Sequence, residues 1–359
     1  MNLHIAPDNT FINAFYGNLK EVSLLNNNRI VIRSNNKELE AVKHDIPFAP
    51  LYSKKFNLLV GDTFSYDKVY VHYFTPLLYR WVALNKFKEL NWLPWGGDIY
   101  NLPSLDHLCY EPLTYMQYIK KNKSFGQILY ELKVLIFNSA FKKRAYSKVA
   151  NIMTWMEQEY QFALHHLPVQ AKHKFFFYEN QFPYSDLDSI QSSTTTRDRL
   201  SLIIGNSGSP TNNHLDTVSF LEKHKIGADL IVPVSYGDKN YISFLKKRLT
   251  YKYGALEFVD RYMQFHEYIR FLADADGLVM NTIRPQGYGN IFMMLYLNKA
   301  VFFNERNISL PDLTKNGINC LSFQDIVSFG QETPPENRGA VVNFLSHERL
   351  LTEYRQLFC

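Results

Sequence analysis

Leu200-Ser201-Leu202-Ile203-Ile204-Gly205-Asn206-Ser207-Gly208-Ser209 opens the half of the chain whose pattern decides the fold. An apolar run of strand length gives way to small polar residues, and Asn213–His224 follows with helical spacing. A strand buried on both faces reads as a near-continuous apolar run, so this order is the β-loop-α half of a parallel crossover. The pattern repeats downstream. Apolar runs at Asp229–Val234, Leu256–Val259, Gly277–Asn281 and Ala300–Phe303 alternate with helical segments at Lys239–Lys252, Phe265–Ala273 and Asn290–Leu297. Upstream, Leu3–Ala6, Arg29–Arg33, Lys68–His72 and Asn91–Trp95 are separated by stretches such as Pro76–Phe87. Val149–Thr154, a helical Glu157–His166 and Lys172–Tyr178 then follow. The chain is expected to be α/β, with two Rossmann-like doubly wound domains facing a central cleft. The expected boundaries are a first domain at 1–184, a polar linker at 185–199 and a second domain at 200–340. A terminal helix within 341–359, read over Val341–Phe358, is expected to cross back to the first domain.

With 359 residues, 46% of them hydrophobic, the chain has material for two cores of ordinary size. Aromatics reach 15%, and 39 Lys and Arg outnumber 34 Asp and Glu. A basic, aromatic surface suits an anionic partner. Cys109, Cys320 and Cys359 are odd in number and have no metal-ligand spacing, which excludes a disulfide framework or zinc site as the organising principle. The start, Met1–Ala6, lacks the basic and apolar regions of a signal peptide and reads as a strand. Apolar runs such as Val134–Phe137 fall far short of the ~20 residues that span a bilayer. The expectation is a cytoplasmic protein with at most peripheral membrane attachment.

In an open parallel sheet, ligands bind beyond the carboxyl ends of the strands. Gly205-Asn206-Ser207-Gly208 sits there, where small residues let backbone N–H groups approach a phosphate. An ordinary Gly/Ser turn has the same composition, and the spacing matches neither a P-loop nor a dinucleotide fingerprint. The loop after Gly277–Asn281 is more specific: Arg284-Pro285-Gln286-Gly287-Tyr288-Gly289-Asn290 sets a planar guanidinium and two glycines directly before a helix. Its alternative is a surface ion pair over a glycine-relieved turn. Tyr236 follows another strand and is a candidate to stack on a base or bond a phosphate, or else a packed tyrosine.

In the first half, Trp92-Leu93-Pro94-Trp95-Gly96-Gly97-Asp98 places a carboxylate at a strand end among aromatics, with Trp95 and Gly97 leaving room for a sugar. Asp98 is the candidate general base, with helix capping as its other reading. His72 ends a strand and is a second candidate cleft residue, or a satisfied core histidine. Asp274-Ala275-Asp276 has D-x-D spacing but precedes a strand at the wrong end of the sheet, so no metal is expected there. The span Tyr115–Lys148 carries basic residues, among them Lys142, Lys143 and Arg144, interleaved with aromatics. It suits an anionic bilayer, or a solvated face over a core stripe; nucleic acid is not expected.

Ile204-Gly205-Asn206-Ser207-Gly208 with Asn213-His214, Val232–Tyr236, Phe265 and Tyr268, Arg284 with Gln286–Gly289, and Asn304–Asn307 occur in the order of a known family. Trp95-Gly96-Gly97-Asp98-Ile99-Tyr100 is similar to that family's Trp-Gly-Ala-Asp-Leu-Tyr. The chain resembles the TDP-N-acetylfucosamine:lipid II N-acetylfucosaminyltransferases of glycosyltransferase family 56, which assemble enterobacterial common antigen. Pro285 stands where the family has glutamine, and the Glu305-Arg306 order is inverted. The resemblance implies a metal-independent enzyme of the GT-B fold with no cofactor, the donor held by the second domain and the acceptor by the first. It implies transfer of an (amino)deoxyhexose such as N-acetylfucosamine from a TDP-like nucleotide to a lipid-linked saccharide at the inner face of the cell membrane, as in O-antigen or common-antigen synthesis. The alternatives are a non-catalytic nucleotide-sugar- or polysaccharide-binding protein of the same fold, and a nucleotide-sugar epimerase.

Overall fold

The computed structural model describes all residues except 123–128, 130–131, 133–139, 179–181, 191–198 and 330–333. Much of the basic stretch and most of the 185–199 linker read from the sequence therefore lie outside the described residues. The chain forms two compact units. One comprises Met1–Leu105, Ser124–Gln181 and Leu345–Cys359, and the other Asp106–Lys123 and Phe182–Phe344.

The first unit is built on a seven-stranded parallel sheet: β1 (Asn2–Pro7), β2 (Asn28–Arg33), β3 (Phe48–Ala49), β4 (Val69–His72), β5 (Leu90–Leu93), β6 (Val149–Thr154) and β7 (Lys172–Phe175). Its order is β3-β2-β1-β4-β5-β6-β7, so the direction of winding reverses between β1 and β4. The helices are α1 (Phe11–Glu21), α2 (Lys54–Val60), α3 (Pro76–Leu84), a single turn α4 (Gly97–Tyr100) and α5 (Glu157–His166). Ile12, Phe15 and Leu19 recur at helical spacing on α1 and are fully buried. They pack in one cluster with Tyr354 and Phe358 of the C-terminal helix, His347–Phe358. That helix ends against four donors. Leu357 O accepts from Tyr70 Oη (2.5 Å) and Lys68 Nζ (3.1 Å), and Phe358 O from Asn2 Nδ2 (3.1 Å) and Asn28 Nδ2 (2.9 Å). Carbonyls left over at a helix end need such partners once buried.

The continuous helix expected over Val341–Phe358 is in fact two, Arg338–Phe344 and His347–Phe358, each in a different unit. The break is local, since the Ser346 side chain accepts from Arg349 N (3.4 Å) and starts a new helix.

The second unit has six parallel strands: β8 (Leu200–Ile204), β9 (Ala228–Pro233), β10 (Leu256–Val259), β11 (Gly277–Met280), β12 (Ala300–Phe303) and β13 (Leu321–Ser322). They run in the order β10-β9-β8-β11-β12-β13, again with a switch, here between β8 and β11. Its longer described helices are α6 (His214–Lys223), α7 (Lys239–Arg248), α8 (Phe265–Asp274), α9 (Tyr288–Tyr296), α10 (Leu310–Lys315) and α11 (Arg338–Phe344). Both β11 and β12 are buried along their whole length, as continuous apolar runs require.

Asp106–Lys123, which the sequence reading places in the first domain, belongs to this unit. The Asp216 carboxylate on α6 accepts from Leu113 N (2.8 Å), Thr114 N (2.9 Å) and Thr114 Oγ1 (2.7 Å), and Tyr118 enters the unit's core. A carboxylate at the start of a helical turn satisfies the orphan N–H groups that open it.

Candidate functional site

In the second unit the loops after β8 and β11 meet at the switch point. Gly205 has φ +69°, and a Cβ there would lie 2.8 Å from Asn212 Cγ. Only glycine fits such a turn. The fully buried Asn212 donates to Ser207 O (2.8 Å), while its Oδ1 accepts from Asn206 N (3.3 Å) and Gln286 Nε2 (3.0 Å). Gln286 completes the link. Its Oε1 accepts from Thr211 Oγ1 (2.6 Å) and Arg284 Nε (2.9 Å), and its Nε2 also reaches Asn206 Oδ1 (3.3 Å).

Three of the four Gly205–Gly208 amides bond within the unit. Gly205 N donates to Val279 O (2.8 Å), Asn206 N to Asn212, and Gly208 N to Tyr236 O (2.8 Å), while the Ser207 side chain is buried against Asn212. Gly208 is small for packing, since a Cβ there would meet Ile242 at 2.3 Å. Three of the four amides expected to cradle a phosphate are therefore engaged within the unit.

The open group lies on the neighbouring loop. Gly287 adopts φ +73° as the N-cap of α9, a helix with no side-chain cap. Uncapped N–H groups at a helix start carry partial positive charge and attract anions. A Cβ on exposed Gly289 would meet nothing within 4 Å, whereas one on Gly287 would lie 2.8 Å from Met280 Cε. Arg284 is half-buried, its guanidinium plane fixed by the bond to Gln286. The buried Asn290 side chain lies at the start of α9 and interacts with the Tyr268 hydroxyl. Tyr288 bonds Ser309 through its hydroxyl and stacks on Phe292 at 5.6 Å. Around the same strand ends, Tyr236 is 60% exposed with its hydroxyl accepting from Asn206 Nδ2 (2.9 Å), and Tyr262 (81%) and Phe265 (47%) are exposed aromatics. Sequence reading missed Tyr262 and Asn212. An aromatic just past a strand end was the available signal for the first, and Asn212 had none.

In the first unit, Asp98 is 1% exposed. Its Oδ2 accepts from Trp92 Nε1 (2.7 Å) and Phe74 N (2.8 Å), and its Oδ1 from Trp95 N (2.9 Å). Burial raises its pKa, opposed by those three donors. Each of these donors is the protein's own, so the carboxylate ties the β4 and β5 loops together, the structural role that stands beside its reading as a base. His72 is fully buried within the first unit, as a satisfied core histidine would be. Asn28 Oδ1 faces His4 Nε2 (2.9 Å), His4 Nδ1 faces His72 Nε2 (3.0 Å), and His72 Nδ1 faces the Tyr178 hydroxyl (2.7 Å). Because the Asn28 oxygen only accepts, each imidazole donates through Nε2, and Tyr178 donates to His72. Burial lowers the pKa of both rings, that of His4 to about 3, so both are neutral.

Above this chain an aromatic group forms at the carboxyl edge of the sheet. Trp95 stacks on Tyr73 (5.4 Å) and meets Phe11 (5.3 Å) and Tyr178 (5.8 Å) edge-on. Gly97 packs closely beside it, as a Cβ would lie 2.9 Å from Tyr73 Oη. Arg33 donates to Tyr73 O (2.9 Å); burial lowers its pKa to about 10 against the opposing pull of the Asp98 charge. Lys143 and Arg144 are exposed, whereas Lys142 is half-buried and its ammonium pKa is lowered by desolvation. Asp276 accepts from Ser201 N (2.8 Å) and so holds the start of β8. Among the described residues no three His, Cys, Asp or Glu side chains gather as a metal-binding group.

Paired doubly wound sheets of this order, with helix-initiating loops at the switch point, are the GT-B architecture of glycosyltransferases. The chain belongs to the 4-alpha-L-fucosyltransferase family, glycosyl transferase group 56, whose pattern matches residues 119–332. Its fold is similar to that of sucrose-phosphate synthase from Thermosynechococcus elongatus, with 11% identity, TM-score 0.58 and coverage of 100% of this chain and 99% of that one. An alpha,alpha-trehalose-phosphate synthase from Burkholderia vietnamiensis is similar at 8% identity and TM-score 0.56, covering 100% and 98%. So is WaaG, a glycosyltransferase involved in lipopolysaccharide biosynthesis, at 11% and 0.50, covering 99% and 95%. No curated protein sequence matches the chain.

Proposed function

We propose that this glycosyltransferase moves an (amino)deoxyhexose such as N-acetylfucosamine from a TDP-like donor to a lipid-linked saccharide, in the assembly of a bacterial surface polysaccharide at the inner face of the cell membrane. The observation that carries the donor half of this reading is the uncapped start of α9 beside Arg284. A leaving nucleoside diphosphate gathers negative charge as the glycosidic bond to the sugar breaks. Preorganised N–H dipoles and a guanidinium stabilise that charge without reorganising. Tyr236, Tyr262 and Phe265 offer rings on which a base stacks. No metal or other cofactor enters this scheme, since the helix start and Arg284 neutralise the diphosphate.

The acceptor half rests on the first unit's aromatic group. Sugar rings lie with their C–H faces on aromatic rings, and Trp95, Tyr73 and Phe11 present such rings at the strand ends. In this scheme Asp98 is a positioning residue that holds Trp95 in place, and His72 does the same for Tyr178.

The test is thermal stabilisation by TDP, UDP, GDP and CDP, with NAD as control and chelator present. One nucleoside diphosphate should stabilise selectively, by about 2.7 kcal/mol at a concentration of 100 Kd. Arg284→Lys should weaken that binding roughly tenfold, because an ammonium lacks the planar fork. The donor reading fails if no nucleotide shifts the melting point, and the metal-free reading fails if chelator abolishes the shift.

A further inference from the structure

The described surface of the first unit carries a concentration of exposed apolar side chains that neither sheet nor site uses. Leu58 is 81% exposed, Leu77 59%, Leu84 57% and Phe64 50%. On α3, Leu77, Arg80 and Leu84 recur at i, i+3 and i+7, which puts them on one helix face. The elements that bear these residues are packed together. Phe56 on α2 meets Trp81 on α3 (6.2 Å), Tyr52 Oη donates to Leu77 O (2.6 Å), and Thr63 Oγ1 donates to Lys86 O (2.6 Å). The helical residues 140–146 adjoin α3 through the Tyr79–Tyr146 hydroxyl pair (2.9 Å), and Lys148 Nζ caps the end of α3 at Ala83 O (2.8 Å).

Charge on this layer is one-sided. Lys54, Lys55, Arg80, Lys86, Lys143 and Arg144 are exposed. Nearby acids are already engaged: Asp62 caps Phe64 N (3.0 Å), Asp67 pairs with the chain's amino group (2.6 Å) and Lys88 (3.3 Å), and Glu89 pairs with Lys174 (3.2 Å). Burial of a leucine side chain and attraction of unpaired cations to an anionic surface act on the same face here.

We propose that the outer face of α2, α3 and residues 140–146 docks on an anionic phospholipid bilayer, with Leu58, Phe64, Leu77 and Leu84 entering the headgroup boundary and the cations meeting lipid phosphates. This deepens the membrane reading above and rests on it. It assigns the apolar contact, which the basic residues Lys142–Arg144 by themselves lack. A stripe of leucines flanked by lysine and arginine is the pattern by which helices lie in a bilayer interface, and each signal alone gives only marginal attachment.

The experiment is co-sedimentation of the full chain with vesicles of phosphatidylcholine, alone or mixed with phosphatidylglycerol. The wild type should sediment with the mixed vesicles. A Leu58→Gln, Leu77→Gln, Leu84→Gln variant should lose roughly tenfold or more in partitioning. Its melting point should hold, since all three side chains already face solvent. A control, Val327→Gln with Val342→Gln in the second unit, should bind as the wild type does.

Equal binding by the leucine variant, with loss in Lys143→Glu, Arg144→Glu, overturns the apolar contact through α2 and α3 while the membrane reading stands. No sedimentation of the wild type with either vesicle overturns both. Vesicle binding unchanged while the leucine variant dissolves a dimer seen by sedimentation velocity overturns the proposal in favour of self-association.

Discussion

Replacing Asp98 by Asn separates a structural carboxylate from a catalytic one. Two of its three donors converge on Oδ2 and one on Oδ1. An amide keeps a single acceptor oxygen. Placed at the Oδ2 position, that oxygen retains Trp92 Nε1 and Phe74 N, but the new NH₂ then opposes Trp95 N–H. The reverse orientation opposes two donors and is worse. One buried donor left unpaired costs about 1–3 kcal/mol. For a unit of this size that is a fall of roughly 2–10 °C in melting temperature. Turnover, assayed by donor consumption well below both midpoints, should fall less than about tenfold, because the carboxylate only positions the loop. Loss of a general base costs about 10²–10⁴-fold. An unchanged melting point with turnover down a hundredfold or more would refute the structural assignment and return Asp98 to the base role.

Gly287→Ala should cost about 1–3 kcal/mol by placing a side chain at φ +73° against Met280 and Asn206, and should weaken nucleoside diphosphate binding along with stability; binding at wild-type strength would detach the α9 start from the donor site. Acid should destabilise both units. Burial lowers the pKa of His4 and of His214 to about 3 from 6.5, so the unfolded chain takes up protons first, and stability present above 6.5 is lost as pH falls toward 3. At pH 5 the loss is about 2 kcal/mol for each of these two rings. Calorimetry at pH 7.5 and 5 checks this; His214→Phe should flatten the fall in the second unit, and a flat profile in the wild type would show the rings are not buried neutral.

The alternation of apolar runs with helical segments established the α/β class and the paired Rossmann sheets, because strand and helix periodicity are local properties that any window of sequence carries. The order of motifs from Gly205 to Asn307 placed the chain in its family for a related reason, since motif spacing survives without coordinates. Glycines before helices pointed to the switch-point loops, where positive φ at Gly205 and Gly287 is a local demand. What those loops do with their amides was not local. Gly205–Gly208 has the composition of a phosphate cradle, yet Val279 and Tyr236, distant in sequence, and the nearer Asn212 take three of its N–H groups. Asp98 and His72 carry the residue types of catalysis, and only the tertiary structure decided that three donors enclose one and a histidine and a tyrosine the other. The same applies to Asp106–Lys123, held to the second unit by the Asp216 carboxylate on α6 and by Tyr118 in its core. Burial and hydrogen-bond partnership are relations between residues far apart in the chain, and no residue carries them by itself.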